Sequence, residues 1–262
     1  MFGIRKGFGL AILVCLGSVL AAGMAGAQAL DAKVAAGKKV LYLYNRIKLE
    51  KAKAASPSDP AKTTMFTTQR ANDEAAISYL ATLGFKVTRG DEATPESAAQ
   101  GMDLIVISES VDALDMAGRF RTTPVPLMTF ENDLTPSLGM TGMKNDTDTG
   151  TKENQRLLWL VNAPHPLAGG LSAGLQNVLD DEHVRMNWGH PGPGAVVIAT
   201  LPSEEEKAVI FAYEKGATMH WEFLAPARRM GFFLYSDTFL HLRAEGLALF
   251  RAAVLWLVSP SA

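Results

Sequence analysis

The sequence predicts a single α/β domain on a mostly parallel sheet covered on both faces. Three observations predict it. Apolar runs of strand length recur at Val40–Tyr44 and Leu104–Ile107, and Val125–Phe130 is apolar but for Thr129, the pattern of strands buried on both faces. Helical patterns alternate with them. Two further runs, Ala195–Thr200 and Ala208–Tyr213, flank a polar turn at 202–207 and read as an antiparallel hairpin toward the C-terminus.

The elements follow in order. After the first strand, a polar stretch from Asn45 to about Thr68 reads as a long loop, with Pro57 and Pro60. Loops of that length tend to be functional. A helix is expected from about Gln69 to Leu83, with Thr68 as N-cap and Gly84 closing it. Ala76, Ile77, Leu80 and Leu83 mark its buried stripe. Phe85–Thr88 alternates like a short strand. A short helix over 93–100 and a weak one over 112–117 separate the next strands. Leu157–Val161 and Arg229–Leu234 complete the strand set. A closing helix, about Arg243 to Val258, recurs apolar at Leu247, Phe250, Val254 and Leu257, which gives it one buried face. No repeat or interdomain linker is visible.

The N-terminus has three parts: the basic pair Arg5 and Lys6, an apolar uncharged run from Gly9 to Gly23, and the small residues Ala25, Ala27 and Ala29. That is the plan of a secretory signal, so residues 1–29 are expected to be removed near Ala27 or Ala29. The domain would then be residues 30–262, periplasmic or secreted. The apolar run is shorter than the roughly 20 residues that span a bilayer, so no stable membrane span is expected after cleavage. The only cysteine, Cys15, lies in this segment. The mature chain would be cysteine-free, without disulfide, thiolate nucleophile or cysteine–metal site. Losing Arg5 and Lys6 from 25 basic residues against 27 acidic takes the formal charge from −2 to −4. No basic stripe is present, so nucleic acid is not an expected partner. Oligomeric state is not legible.

Ligands of open parallel sheets sit beyond the carboxyl ends of the strands, where strand order reverses. Residues at those ends are therefore the candidates: Asn45 and Arg46 after the first strand, Ser108 and Glu109 after Ile107, Glu131, Asn132 and Asp133 after Phe130, and Ser236 and Asp237 after Leu234. Ser, Asn and Asp also favour caps and turns; Glu131 is the one least explained that way. The five histidines show no helical zinc spacing, and no phosphate-binding, dinucleotide-binding or serine-elbow motif occurs. No cofactor or metal is predicted.

Several stretches together resemble the ThuA-like (trehalose-utilisation) family of the class I glutamine amidotransferase-like superfamily. They are Lys39–Leu43 followed by Ala75–Val87, then Asp103–Ser108, His165-Pro166-Leu167-Ala168-Gly169-Gly170-Leu171, and Arg228–Phe233 with Leu249–Trp256. The likeness covers about residues 38–258 and implies a flavodoxin-like three-layer sandwich. Amidotransferases carry a cysteine after a central strand; by strand order that turn falls near Glu131 here, so an acidic group stands where a thiol would be. ThuA-like proteins are linked to sugar metabolism. Two functions are therefore expected as alternatives. One is binding or modification of a small sugar-like ligand, with Glu131 and Asp133 or Glu109 as acid and base, assisted by His165, and with Trp188 or Trp221 stacking on the ring. The other is a non-catalytic interaction or scaffold module.

Overall fold

A computed structural model describes residues 30–46, 60–116 and 118–260. The expected secretory signal, residues 1–29, and residues 47–59 of the expected long loop lie outside the described residues. Eleven strands form one mixed sheet: β1 Lys39–Leu43, β2 Lys86–Gly90, β3 Leu104–Ile107, β4 Leu127–Thr129, β5 Thr149–Lys152, β6 Leu157–Leu160, β7 Gly174–Asn177, β8 Met186–Gly189, β9 Val196–Leu201, β10 Glu204–Tyr213 and β11 Arg229–Phe232. Their order is β2-β1-β3-β4-β11-β10-β9-β6-β7, with β8 pairing β10 and β5. The first five run parallel. From β10 onward every pairing is antiparallel. The sheet is thus parallel at one end only. The expected hairpin is β9–β10, turning at Pro202-Ser203, with Ser203 in the left-handed region at φ 63°.

The parallel strands alternate inward and outward. Val40, Tyr42, Val106, Met128, Phe130 and Phe232 face a core shared with two long helices, α1 Pro60–Thr82 and α2 Ala244–Val258. Leu41, Leu43, Ile105, Ile107 and Leu127 face the other side. That side is closed mainly by short turns and irregular segments carrying Met116, Phe120, Leu138, Met140 and Met219. The parallel half has the order 2-1-3-4 plus one more strand, compatible with a flavodoxin-like arrangement.

Helix α1 begins nine residues before the expected Gln69. Pro60 stands at its first position, where the fixed proline φ suits a helix. Residues 60–68, expected as loop for their polarity, are helical instead. Strands β5, β7 and β8 were not expected: Thr-Gly-Thr-Lys and Gly-Leu-Gln-Asn have no apolar run, and pairing alone makes them strands.

Arg229 sits in β11 with 0% exposure. Its guanidinium donates to the carbonyls of Val125 (3.0 Å), Thr123 (2.6 Å) and Arg121 (3.4 Å). Burial lowers its pKa to about 10, which leaves it protonated at neutral pH. It holds the segment that feeds β4. Arg229→Met keeps the volume and removes every donor, leaving these carbonyls short of partners. We expect a loss of about 2–4 kcal/mol of stability, read as a lower urea midpoint at unchanged slope.

Candidate functional site

Strand order reverses between β1 and β3, since the chain goes from β1 outward to β2 and returns on the other side. The carboxyl ends of these two strands are bridged. Asn45 donates its backbone N–H to Ser110 Oγ at 3.0 Å, and its side-chain amide donates to Glu92. Glu92 also accepts the Asp112 N–H at 3.1 Å. Arg46 is exposed, 3.9 Å from Asp91, and its carbonyl accepts from Arg70.

Beneath this bridge lies Asp73 of α1, only 1% exposed. Its carboxylate accepts from the hydroxyls of Tyr42 (3.0 Å), Ser108 (2.5 Å) and Ser110 (2.7 Å). Burial pushes its pKa up from 3.8 to about 6, against the lowering effect of the three donors. Burial first, and then Asp73, raises the Tyr42 phenol well above its usual range.

Further along the same ends, Glu109 accepts from the Ser236 hydroxyl, and Ser236 Oγ accepts from Gln69 Nε2 at 3.0 Å. Glu131 is 7% exposed; its carboxylate accepts the Asp133 N–H at 2.9 Å and so caps the turn Asn132–Leu134. Tyr235 follows β11. Its phenol oxygen accepts from Arg185 Nη1 at 2.9 Å, and the guanidinium lies 5.2 Å over its ring. Burial raises the Tyr235 pKa, the Glu109 charge raises it further and Glu131 adds to this, while Arg185 opposes them. Two carboxylates from adjacent strands therefore act on one phenol from the next.

Asn187 of β8 organises this edge. Its side-chain amide donates to the carbonyls of Phe130 (2.8 Å) and Leu234 (3.0 Å), the residues just before Glu131 and Tyr235. Its Oδ1 accepts from Thr151 Oγ1 at 2.9 Å. A cavity of about 10 Å³ lies beside it, lined by Thr129, Asn132 and Trp188 among others, room for about one water and no larger ligand.

The remaining candidates are placed as follows. Asn132 is half-buried, donates to Asp133 Oδ1 at 3.3 Å, and gives its carbonyl to Thr135 and Thr149. Asp133 is exposed at the rim, and Asp237 is half-buried at the start of the turn Thr238–His241. His165 is elsewhere. Its ring lies 6.0 Å from Trp256, over which Arg228 stacks at 4.3 Å. Arg228 immediately precedes β11, so this group is at the amino ends of the parallel strands, opposite Glu131. His165 Nδ1 accepts the Leu167 N–H at 3.2 Å, and burial lowers its pKa. Trp188 is buried; Trp221 is exposed on a separate turn with left-handed backbone, φ 54°. Among the described residues no cluster of His, Cys, Asp or Glu could hold a metal ion, and no helix is long and apolar enough to cross a membrane.

Sequence reading missed Asp73, Asn187, Tyr235 and Arg185. Asp73 had a signal: it stands four residues before Ile77 and seven before Leu80, within the stripe that α1 buries.

No protein-family model and no curated protein matches this chain. Among solved structures it is similar to a protein described as ThuA-like from Bacteroides uniformis, at 11% identity and TM-score 0.49, over 85% of this chain and 91% of that one. It is also similar to a protein described as a GMP synthase subunit from Thermoplasma acidophilum, at 9% identity and TM-score 0.48, over 84% of this chain and 94% of that one.

Asp73 gives a pH dependence. Its folded-state pKa, about 6, lies above the 3.8 of an ordinary aspartate, so the folded chain binds this proton more tightly than the unfolded one. The resulting stabilisation is fully present below about pH 3.8 and is lost as pH rises through about 6. Urea titrations between these limits should show wild type gaining about 2–3 kcal/mol on acidification relative to Asp73→Asn. Parallel curves for the two proteins would mean Asp73 is not the titrating group.

Proposed function

We propose that this chain is an exported ThuA-like protein with a flavodoxin-like three-layer sandwich, and that it binds or modifies a small carbohydrate-type ligand at the carboxyl ends of β3, β4 and β11. The observation that supports this is that neighbouring strand ends bring Glu109, Glu131 and Tyr235 to one edge of the sheet, near enough for both carboxylate charges to raise the phenol's pKa. Vicinal hydroxyls of a sugar are donors, and a pair of carboxylates is a matching set of acceptors. The Tyr235 oxygen accepts from Arg185, which leaves its proton to donate. General acid–base work on such a ligand would fall to the carboxylates Glu109 and Glu131. Asp133, at the rim, and Asn45 with Ser108, at the switch point, extend the same end of the sheet. His165, at the other end, has no part in this site.

The capping bond of Glu131 to the Asp133 N–H favours a second reading, a non-catalytic interaction module on the same scaffold. One titration separates the two. A panel of mono- and disaccharides and keto-sugars is titrated calorimetrically into wild type, Glu109→Gln, Glu131→Gln and Tyr235→Phe. Under the first reading at least one sugar binds wild type, and each carboxylate variant weakens it by roughly tenfold to a hundredfold, the effect of a lost hydrogen bond to a charged group. If no sugar binds, or if Glu131→Gln lowers stability while affinity is unchanged, the second reading stands.

Export has its own test. Protein recovered outside the cytoplasm should begin at Gln28 or Leu30 by N-terminal sequencing, and would then be free of cysteine. A cytoplasmic product starting at Met1 would reject it.

A further inference from the structure

The tryptophans differ in what lies over their rings. Trp188 and Trp256 are buried, and each is covered by a cation of the chain itself. Lys207 Nζ stands 4.7 Å from the centre of the Trp188 ring, and the Arg228 guanidinium 4.3 Å from that of Trp256. The face of an indole is electrically negative and attracts such a cation. Trp159 of β6 is 46% exposed, and among the described residues no lysine or arginine lies over it.

Trp159 lies on the outer face of the sheet. Its neighbours Leu158 and Leu160 point the other way, into the core that contains α2. Val161, two residues on from Trp159, returns to the outer face and is exposed there. A groove of about 320 Å³ is lined by Trp159, Val161, Thr200, Leu201, Ser203 and Glu205. That is the small end of ligand sites, roughly 300–1,000 Å³. It suits one small molecule rather than a docked chain.

Charge selects the occupant. Glu205 is the one ionised residue of this lining. Its neighbour Glu204 pairs with both Lys152 (2.7 Å) and Lys207 (2.6 Å). Among the described residues no ion pair involves Glu205. A carboxylate and an exposed indole face both attract positive charge and both disfavour an anion. The apolar walls, Val161 and Leu201, favour carbon over a hydrated bare ion. A cation that carries methyl groups around its charge meets both demands. We infer that the groove binds a small alkylammonium ion, with its charge over Trp159 and beside Glu205 and its alkyl groups against Val161 and Leu201. This does not rest on the site at the carboxyl ends of β3, β4 and β11.

Calorimetric titration of choline chloride into the purified protein tests it. We expect saturable binding with a dissociation constant on the order of 1 mM, the scale that one exposed ring and one exposed carboxylate provide. The alcohol in which a tert-butyl group replaces choline's trimethylammonium has the same shape without the charge. It should bind at least about tenfold more weakly. Trp159→Leu and Glu205→Gln should each raise the choline dissociation constant about tenfold. Both side chains stand in water, so both variants should keep the wild-type circular dichroism spectrum. The comparison of the two ligands uses wild type alone and decides the matter even where a variant fails to fold. Three results would each overturn the inference: no binding at about 100 mM choline, equal affinity for the uncharged alcohol, or folded variants that both bind choline as wild type does.

Discussion

A carboxylate taken out of water must be matched by donors, and Asp73 is matched by three hydroxyls, one from β1 and two from the segment that follows β3. Its desolvation costs several kcal/mol, while each hydrogen bond to a charged acceptor returns about 1.5–3 kcal/mol. The two sides nearly balance, which is why its pKa rises only to about 6. The consequence is geometric. Tyr42 fixes α1 against β1, Ser108 and Ser110 fix it against the exit of β3, and Asn45 hangs from the same Ser110. The helix, the two strand ends and the start of the long loop are set by one buried charge.

The other half of the site depends on Asn187. Where a parallel ladder ends, its last carbonyls run out of partners. Phe130 and Leu234 are such residues, and one side-chain amide from the antiparallel half serves both. Glu131 and Tyr235 come one residue later in each chain segment. Their spacing across the edge is therefore governed by a residue that touches neither of their functional atoms. Arg229 does the corresponding work at the amino end of the same strand pair, tying the segment before β4 to β11. The seam between parallel and antiparallel halves is thus held at both ends by buried polar side chains with several partners each.

This division explains what could be read from the sequence. Strands β1 and β3 are buried on both faces, so they appear as apolar runs, and helix α2 shows its stripe at Leu247, Phe250, Val254 and Leu257. The carboxyl-end residues Asn45, Ser108, Glu109 and Glu131 followed once the strands were known. Strands β5, β7 and β8 did not show, because an edge or bridging strand needs a partner rather than an apolar pattern. The location of His165 was equally hidden. A histidine between two prolines says nothing about which end of a sheet it will meet, and only the contact with Trp256 fixes it. Tyr235 carries no signal of its own beside Ser236 and Asp237, whose polarity marks the strand end.

The backbone at Glu131 bears on the chemistry that the proposed site could perform. A nucleophile elbow holds its residue on a sharp, strained turn so that the reactive atom stands clear of the sheet. Glu131 is instead extended, φ −71° and ψ 106°, and its side chain folds back onto the next turn. A carboxylate held this way is poorly aimed for attack and well placed to accept a hydrogen bond or a proton. Glu109 is anchored differently, by the Ser236 hydroxyl from the segment after β11. If this scaffold does chemistry through these groups, it is proton transfer by Glu109 or Glu131, with the ligand held by the hydroxyls it donates.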